Sequence, residues 1–180
     1  KKEQNSAFFS AIRKYDKEYL KQLENILPKA FAKLNSTPDD PQTGYTPVHT
    51  AVSRNNTEAL KFIAETAPDE FKKTLDMKAR NTLSPIYLAV SRDNPESLRI
   101  IRDTAPEIFS KEIFTEGLDA YGSTLVHKAI DDKNNKALKF IVESNPDEFK
   151  ELLIKNKAKS TSPIFYAADG DNTEALQIIK

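Results

Sequence analysis

The feature that most constrains the fold is a seven-residue stretch that recurs at nearly constant spacing. Its clearest copy is Thr46-Pro-Val-His-Thr-Ala-Val52, and related copies begin at Ser84, Thr124 and Ser162, with a weaker one at Ser6. The starting positions are separated by 40, 38, 40 and 38 residues. A fixed period of this size is the signature of a stacked repeat array. The chain is therefore predicted to consist of about five copies of one structural unit.

Two further markers keep the same register. One is a leucine in the segment after the stretch, found at Leu20, Leu60, Leu98, Leu138 and Leu176. The other is the pattern Pro-x-x-Phe, which begins at Pro28, Pro68, Pro106 and Pro146. Because a repeat can bury its apolar face only against its neighbours, we assign residues 1–180 to a single domain. Its repeats cover about 6–43, 44–81, 82–121, 122–159 and 160–180, and the last of them is incomplete.

The spacing of apolar residues predicts an all-α chain. Val48, Ala51 and Val52 form the stripe of a first helix. Asn55 suits the left-handed turn that ends this helix, and Asn56 caps a second helix. The same capping pattern recurs at Asp16, Asn94, Asn134 and Asn172. A proline, followed by acidic residues and a phenylalanine, predicts a short third helix after Pro68, Pro106 and Pro146.

Composition narrows the classes of function. The 27 basic and 27 acidic residues give a net charge of zero, which argues against a nucleic-acid-binding domain. The chain has no cysteine, so disulfides, thiol nucleophiles and thiolate zinc sites are excluded. No apolar run reaches the roughly 18 residues that a membrane span requires. A cysteine-free chain fits a reducing compartment, and we expect a cytoplasmic location.

The residues of repeats two and four resemble the ankyrin repeat. Gly44-Tyr-Thr-Pro-Val-His-Thr-Ala-Val52 is similar to the family pattern Gly-x-Thr-Pro-Leu-His-x-Ala-Ala, and Glu58-Ala-Leu-Lys-Phe-Ile63 follows as a second helix. Asp119 to Ile130 matches again, whereas Tyr87 and Phe165 replace the histidine. The resemblance implies an ankyrin-type helical repeat solenoid. The period of 38–40 residues exceeds the usual value of about 33, because the third helix is inserted.

The two histidines, His49 and His127, are the obvious catalytic or metal candidates. Both occupy the histidine of the family motif, and the resemblance implies that its ring makes local hydrogen bonds that steady the loop. No nucleophile–base pair, glycine-rich phosphate loop or paired-carboxylate motif is present. We therefore predict no catalytic, cofactor-binding or metal-binding residues.

The resemblance also implies a binding surface. In ankyrin repeats the residues that end the first helix line the concave face, and here they are Arg13, Lys14, Ser53, Arg54, Ser91, Arg92, Asp131, Asp132 and Asp169. This face is predicted to be basic over repeats one to three and acidic over repeats four and five. Tyr45 and Tyr121 precede the motif, in loops that project as fingers in this family, and are predicted anchors for a protein partner. The other aromatic residues fall in repeat register and are predicted to be core.

We expect a protein–protein interaction module with no catalysis of its own. The alternative is the substrate-recruiting ankyrin domain of a larger enzyme, such as a secreted bacterial effector that modifies a host protein in the host cytoplasm. Binding of nucleic acid or anionic lipid through the basic residues is disfavoured by Asp131, Asp132 and Asp169. Leu176, Ile178 and Ile179 have no following repeat, so we expect either further sequence or self-association through this end.

Overall fold

The computed structural model describes residues 2–26, 33, 38, 43–79, 83–115, 122–155 and 162–180, and the regular structure of these residues is α-helical. The helices are α1 Lys2–Lys14, α2 Lys17–Ile26, α3 Pro47–Ser53, α4 Thr57–Thr66, α5 Pro68–Leu75, α6 Pro85–Ser91, α7 Pro95–Thr104, α8 Pro106–Phe114, α9 Leu125–Asp131, α10 Asn135–Ser144, α11 Pro146–Lys155, α12 Pro163–Asp169 and α13 Thr173–Ile179. The predicted all-α repeat fold is confirmed, including the third helices α5, α8 and α11. The helix expected after Pro28 lies outside the described residues.

The chain divides into two compact bodies, Lys1–Leu88 and Ala89–Lys180, which we call the N-terminal and C-terminal bodies. The division falls within α6, the first helix of repeat three. The assignment of the whole chain to one domain stays a prediction.

The turn between the first and second helices has the same backbone in all five repeats. One residue of each turn adopts a φ between 49° and 57°: Tyr15, Asn55, Asp93, Lys133 and Asp171. The next N–H then donates to a carbonyl five residues back, as Asn56 N does to Ala51 O at 2.8 Å. The left-handed turn predicted at Asn55 is confirmed. Its recurrence at Tyr15 and Lys133 shows that the repeat imposes this conformation even on side chains that do not favour it.

Most of the predicted caps of the second helices are confirmed. The carboxylate of Asp16 accepts from Tyr19 N at 3.1 Å, and Asn56 Oδ1 accepts from Ala59 N at 3.1 Å. Equivalent bonds join Asn94 to Ser97 N and Asn172 to Ala175 N, both at 3.0 Å.

Asn134 is the N-cap residue of α10 as predicted, but the side-chain capping bond expected there is wrong. Its side chain does not cap α10, because Asn134 Nδ2 donates instead to the carbonyl of Val90 at 2.9 Å. The capping acceptor comes from the preceding repeat, where Asp93 Oδ1 accepts from Ala137 N at 2.8 Å. Repeats three and four therefore exchange hydrogen bonds between their turns.

Asparagine side chains connect neighbouring repeats within each body. In the N-terminal body, Asn56 Nδ2 donates to Ile12 O at 2.9 Å. In the C-terminal body, Asn172 Nδ2 donates to Ile130 O at 3.0 Å, in the same manner as Asn134 to Val90. Each bond places the turn of one repeat against the end of the first helix of the repeat before it.

The repeat markers supply the core. Leu20, Leu60, Leu98 and Leu138 are fully buried. Among the phenylalanines of the third helices, Phe71 and Phe109 are fully buried and Phe149 is nearly so. Phe109 also packs edge-on against Phe140 of α10, with ring centroids 6.2 Å apart. The inserted third helix is therefore part of the core rather than a surface decoration.

Two aromatic residues depart from the predicted core. Phe9, Phe62 and Phe140 are buried with the phenylalanines of the third helices, but Tyr87 is half-buried and Phe165 is 48% exposed. The physical reason at Phe165 is visible in repeat four, whose equivalent residue His127 is covered by Tyr166 of repeat five. Phe165 has no such neighbour among the described residues. The side chain of Phe8 lies outside the described residues.

Candidate functional site

The His49 ring is held by structural hydrogen bonds in the N-terminal body. Its Nδ1 accepts from Thr46 N at 3.3 Å and lies 2.7 Å from Thr46 Oγ1. Its Nε2 lies 3.2 Å from the carbonyl of Leu83 and therefore carries the proton. Burial lowers the pKa of His49 from 6.5 to about 4, against the raising effect of hydrogen bonds to the Leu83 and Met77 carbonyls. The predicted local role of this histidine is confirmed.

His127 makes the equivalent bonds in the C-terminal body. Thr124 N donates to its Nδ1 at 3.0 Å, and Thr124 Oγ1 lies 3.0 Å from the same atom. Tyr166 packs against the ring with centroids 4.8 Å apart, while its hydroxyl lies 2.9 Å from Ser123 Oγ. Within the described ranges, no group of three or more His, Asp or Glu side chains is placed to hold a metal ion.

The predicted binding residues of the N-terminal body lie at the ends of α1 and α3. Arg13, Lys14 and Arg54 are exposed, and Ser53 is half-buried. Asn56 draws these helix ends together, because its Nδ2 donates to Ile12 O and, at 3.4 Å, to Arg13 O. We call Arg13, Lys14, Ser53 and Arg54 the N-terminal row; its charged side chains are all basic.

The predicted binding residues of the C-terminal body lie at the ends of α6, α9 and α12. The bonds from Asn134 to Val90 and from Asn172 to Ile130 set these three helix ends in sequence. We call Ser91, Arg92, Asp131, Asp132 and Asp169 the C-terminal row. Its four charged side chains are exposed, whereas Ser91 is half-buried. The hydroxyl oxygen of Ser91 is buried and has no hydrogen bond within the described residues, so it is not presented to a partner.

An ion pair modifies the acidic part of the C-terminal row. Lys128 Nζ lies 2.6 Å from Asp132 Oδ2 and 2.8 Å from Asp132 Oδ1. The spacing of four residues between Lys128 and Asp132 is a sequence signal for such a pair, although it was not among the predictions. The ion pair therefore offsets part of the acidic character of the row at Asp132. The predicted change of sign over all five repeats stays a prediction.

The two predicted tyrosine anchors have different outcomes. Tyr45 is half-buried, and its ring stacks on His49 with centroids 5.6 Å apart. Much of its surface therefore supports the histidine, and only the remainder is open to a partner. Tyr121 lies outside the described residues.

No family model matches the chain, and no curated protein matches it. Among solved structures, the chain is similar to one in the crystal structure of the yeast ribosomal protein Rps3 in complex with its chaperone Yar1. The TM-score is 0.60 and the identity is 15%, over 80% of this chain and 94% of that chain. A likeness at this identity concerns the fold alone, and it agrees with the helical repeats described above. None of the described helices is long and apolar enough to cross a membrane.

Proposed function

We propose that this chain is an ankyrin-type protein–protein interaction module that recognises its partner through the two rows and has no catalytic activity of its own. The observation that carries the proposal is the set of asparagine side chains that connect neighbouring repeats. The first-helix ends are held side by side by Asn56 in the N-terminal body and by Asn134 and Asn172 in the C-terminal body. The adjoining charged side chains remain exposed. The two rows are therefore surfaces that the repeat builds but does not need for its own packing.

The remaining polar groups favour binding over chemistry. The two histidines already make hydrogen bonds within the motif. The similar solved chain comes from a complex of a chaperone with a ribosomal protein, which supports a protein as the class of partner. Loops and helix ends that are positioned by a rigid scaffold are common carriers of binding function.

The charges indicate what the partner presents. Arg13, Lys14 and Arg54 favour acidic groups opposite the N-terminal row. Asp131 and Asp169 favour basic groups opposite the far end of the C-terminal row. Complementary charge of this kind increases the rate of encounter and the specificity more than the affinity.

The test is affinity capture from nuclease-treated cell lysate, read by mass spectrometry. Wild type is compared with the double variant Arg54→Glu/Arg92→Glu. A matched control, Lys72→Glu/Lys111→Glu, makes the same change of charge at exposed positions of α5 and α8. We expect one protein to be captured by wild type and by the control and to be lost from the row variant. Equal capture by all three proteins would exclude the rows as the binding surface.

A further inference from the structure

Two arginines of α7 converge on one aromatic ring of α10 in the C-terminal body. The guanidinium carbon of Arg102 lies 5.0 Å from the ring centroid of Phe140, and that of Arg99 lies 5.4 Å from it. Phe140 is only 6% exposed, and Phe109 packs against it in a T-shaped arrangement. Cations at this distance from an aromatic face are attracted to the ring. The two guanidinium groups therefore share a fixed platform.

Arg102 is held rigidly on this platform. Its Nε and Nη2 donate to Asp103 Oδ1 at 2.9 and 2.7 Å, and its Nη1 donates to Ser144 Oγ at 2.9 Å. The bond to Ser144 ties α7 to the next repeat. Because the side chain is already ordered, binding through its remaining donors costs little further conformational entropy.

Arg99 is held more loosely. Its Nε donates to Glu96 at 3.3 Å in an exposed pair on the same helix. Exposed pairs of this kind contribute little to stability and exchange readily. In the part of the chain that the structure describes, Arg99 makes no other hydrogen bond. Its two terminal amino groups are therefore open to a ligand.

The repeats themselves show that this pair is not required by the fold. The positions equivalent to Arg99 hold Lys21, Lys61, Lys139 and Gln177, and those equivalent to Arg102 hold Glu24, Ala64, Val142 and Lys180. Residues that the scaffold needs, such as the leucines and the turn asparagines, recur with the period. Within the described ranges, two arginines lie over one ring where repeat three meets repeat four and at no other place.

We propose that Arg99 and Arg102 form a docking site for an acidic peptide segment, separate from the two rows. The group recognised is an oxyanion, either the carboxylate of Asp or Glu or the phosphoryl group of a phosphorylated residue. Both match the planar, forked donors of arginine, which bind such groups through two parallel hydrogen bonds. The incoming oxyanion replaces Glu96 at Arg99 and adds to the bonds already made by Arg102.

The test is an NMR titration of the arginine Nε–Hε signals of the full chain. The probes are a hexaglutamate peptide and a serine-rich peptide carrying one phosphoserine. We expect at least one probe to give saturable shifts at Arg99 and Arg102, and the tighter probe identifies the source of the oxyanion. Arg99→Gln is expected to weaken binding about tenfold, the effect of losing charge-assisted hydrogen bonds. Small, unsaturated shifts spread over all arginines would overturn the proposal.

Lys139→Gln is the matched control. Lys139 occupies the equivalent position of the next repeat, is exposed, and pairs with Glu143 at 3.9 Å. It removes the same charge but leaves both guanidinium groups in place, so the affinity is expected to be unchanged. An equal loss in this variant would show that only net charge attracts the peptide and would also overturn the proposal. Thermal unfolding of Arg99→Gln checks that the fold is intact.

Discussion

Lys133 is a residue whose side chain is poorly matched to its backbone. Its φ is 57°, and its exposed side chain gains no described contact that offsets the left-handed conformation. Asn tolerates this conformation better than Lys, and repeat two uses Asn55 at the equivalent position. We expect Lys133→Asn to raise the free energy of unfolding by about 0.5–1 kcal/mol, measured by urea denaturation.

Tyr15 is the control for that prediction. It has the same strained backbone, with φ 51°, but its ring packs edge-on against Phe62 with centroids 6.5 Å apart. Burial also raises the pKa of Tyr15, as expected for a ring in contact with the core. Tyr15→Asn therefore relieves strain but loses packing, and we expect no gain. An equal gain in both variants would show that the ring contact contributes nothing.

The lowered pKa of His49 makes the stability of the fold depend on pH. The pKa of His49 is about 4 in the folded chain, below its ordinary value of 6.5, so the unfolded chain binds the proton first as pH falls. The stability linked to neutral His49 is complete above pH 6.5 and is lost as pH falls towards 4. The full loss is about 3 kcal/mol.

The measurement is urea denaturation of wild type and His49→Gln at several pH values across this window. Gln does not titrate, so the variant is less stable at neutral pH but its stability falls less steeply with acid. Because His127 is present in both proteins, the difference in slope belongs to His49. Parallel slopes would contradict the assignment of a neutral, buried ring.

At the scale of helices, Asp93 caps a helix that belongs to the next repeat. Its Oδ1 accepts from Ala137 N at 2.8 Å, near the start of α10. Asp93→Ala removes this bond and also places Ala in a left-handed conformation. The control is Asp171→Ala, because Asp171 has the same φ of 49° but an exposed side chain. The described residues give Asp171 no helix to cap. We expect Asp93→Ala to cost about 1 kcal/mol more than the control in thermal or urea unfolding.

The start of α10 shows which features local sequence patterns predict and which they do not. The period, the third helices of repeats two to four and the caps at Asp16, Asn56, Asn94 and Asn172 follow from local patterns, and the structure confirms them. Local patterns also predicted a side-chain capping bond at Asn134, and this was wrong. Whether Asn134 or Asp93 accepts from Ala137 N depends on how far each side chain lies from that N–H in the folded chain. This distance is set by tertiary structure, and local sequence patterns do not contain it.

The features of the candidate site also fall into those that the sequence predicted and those that it did not. Repeat register placed Arg54, Arg92, Asp131 and Asp169 at exposed helix ends, and they are found there. It gave no indication that Tyr45 would stack on His49. Nor did it single out Arg102, which is conspicuous only once Phe140 and Ser144 of the next repeat are beside it. Contacts between repeats therefore carry most of what the sequence did not reveal.

At the scale of the whole molecule, net charge and one apolar patch act in the same direction. The formal net charge is zero at pH 7, and long-range repulsion between copies is therefore weak. Ile164 is 52% exposed and Phe165 is 48% exposed, whereas Val126 and His127 at the equivalent positions of repeat four are buried. We call Ile164 and Phe165 the apolar patch. Burying it between copies removes apolar surface from water at almost no electrostatic cost.

We therefore expect concentration-dependent self-association near pH 7, seen as an increase in weight-average mass in sedimentation experiments. Ile164→Lys is expected to reduce it, because the change removes apolar surface and adds a charge. Gln177→Lys on α13 is the control, since it adds the same charge at an exposed polar position without changing the patch. If both variants reduce association equally, charge alone governs it. A wild-type chain that stays monomeric at high concentration would show that the apolar patch is too small to hold two copies together.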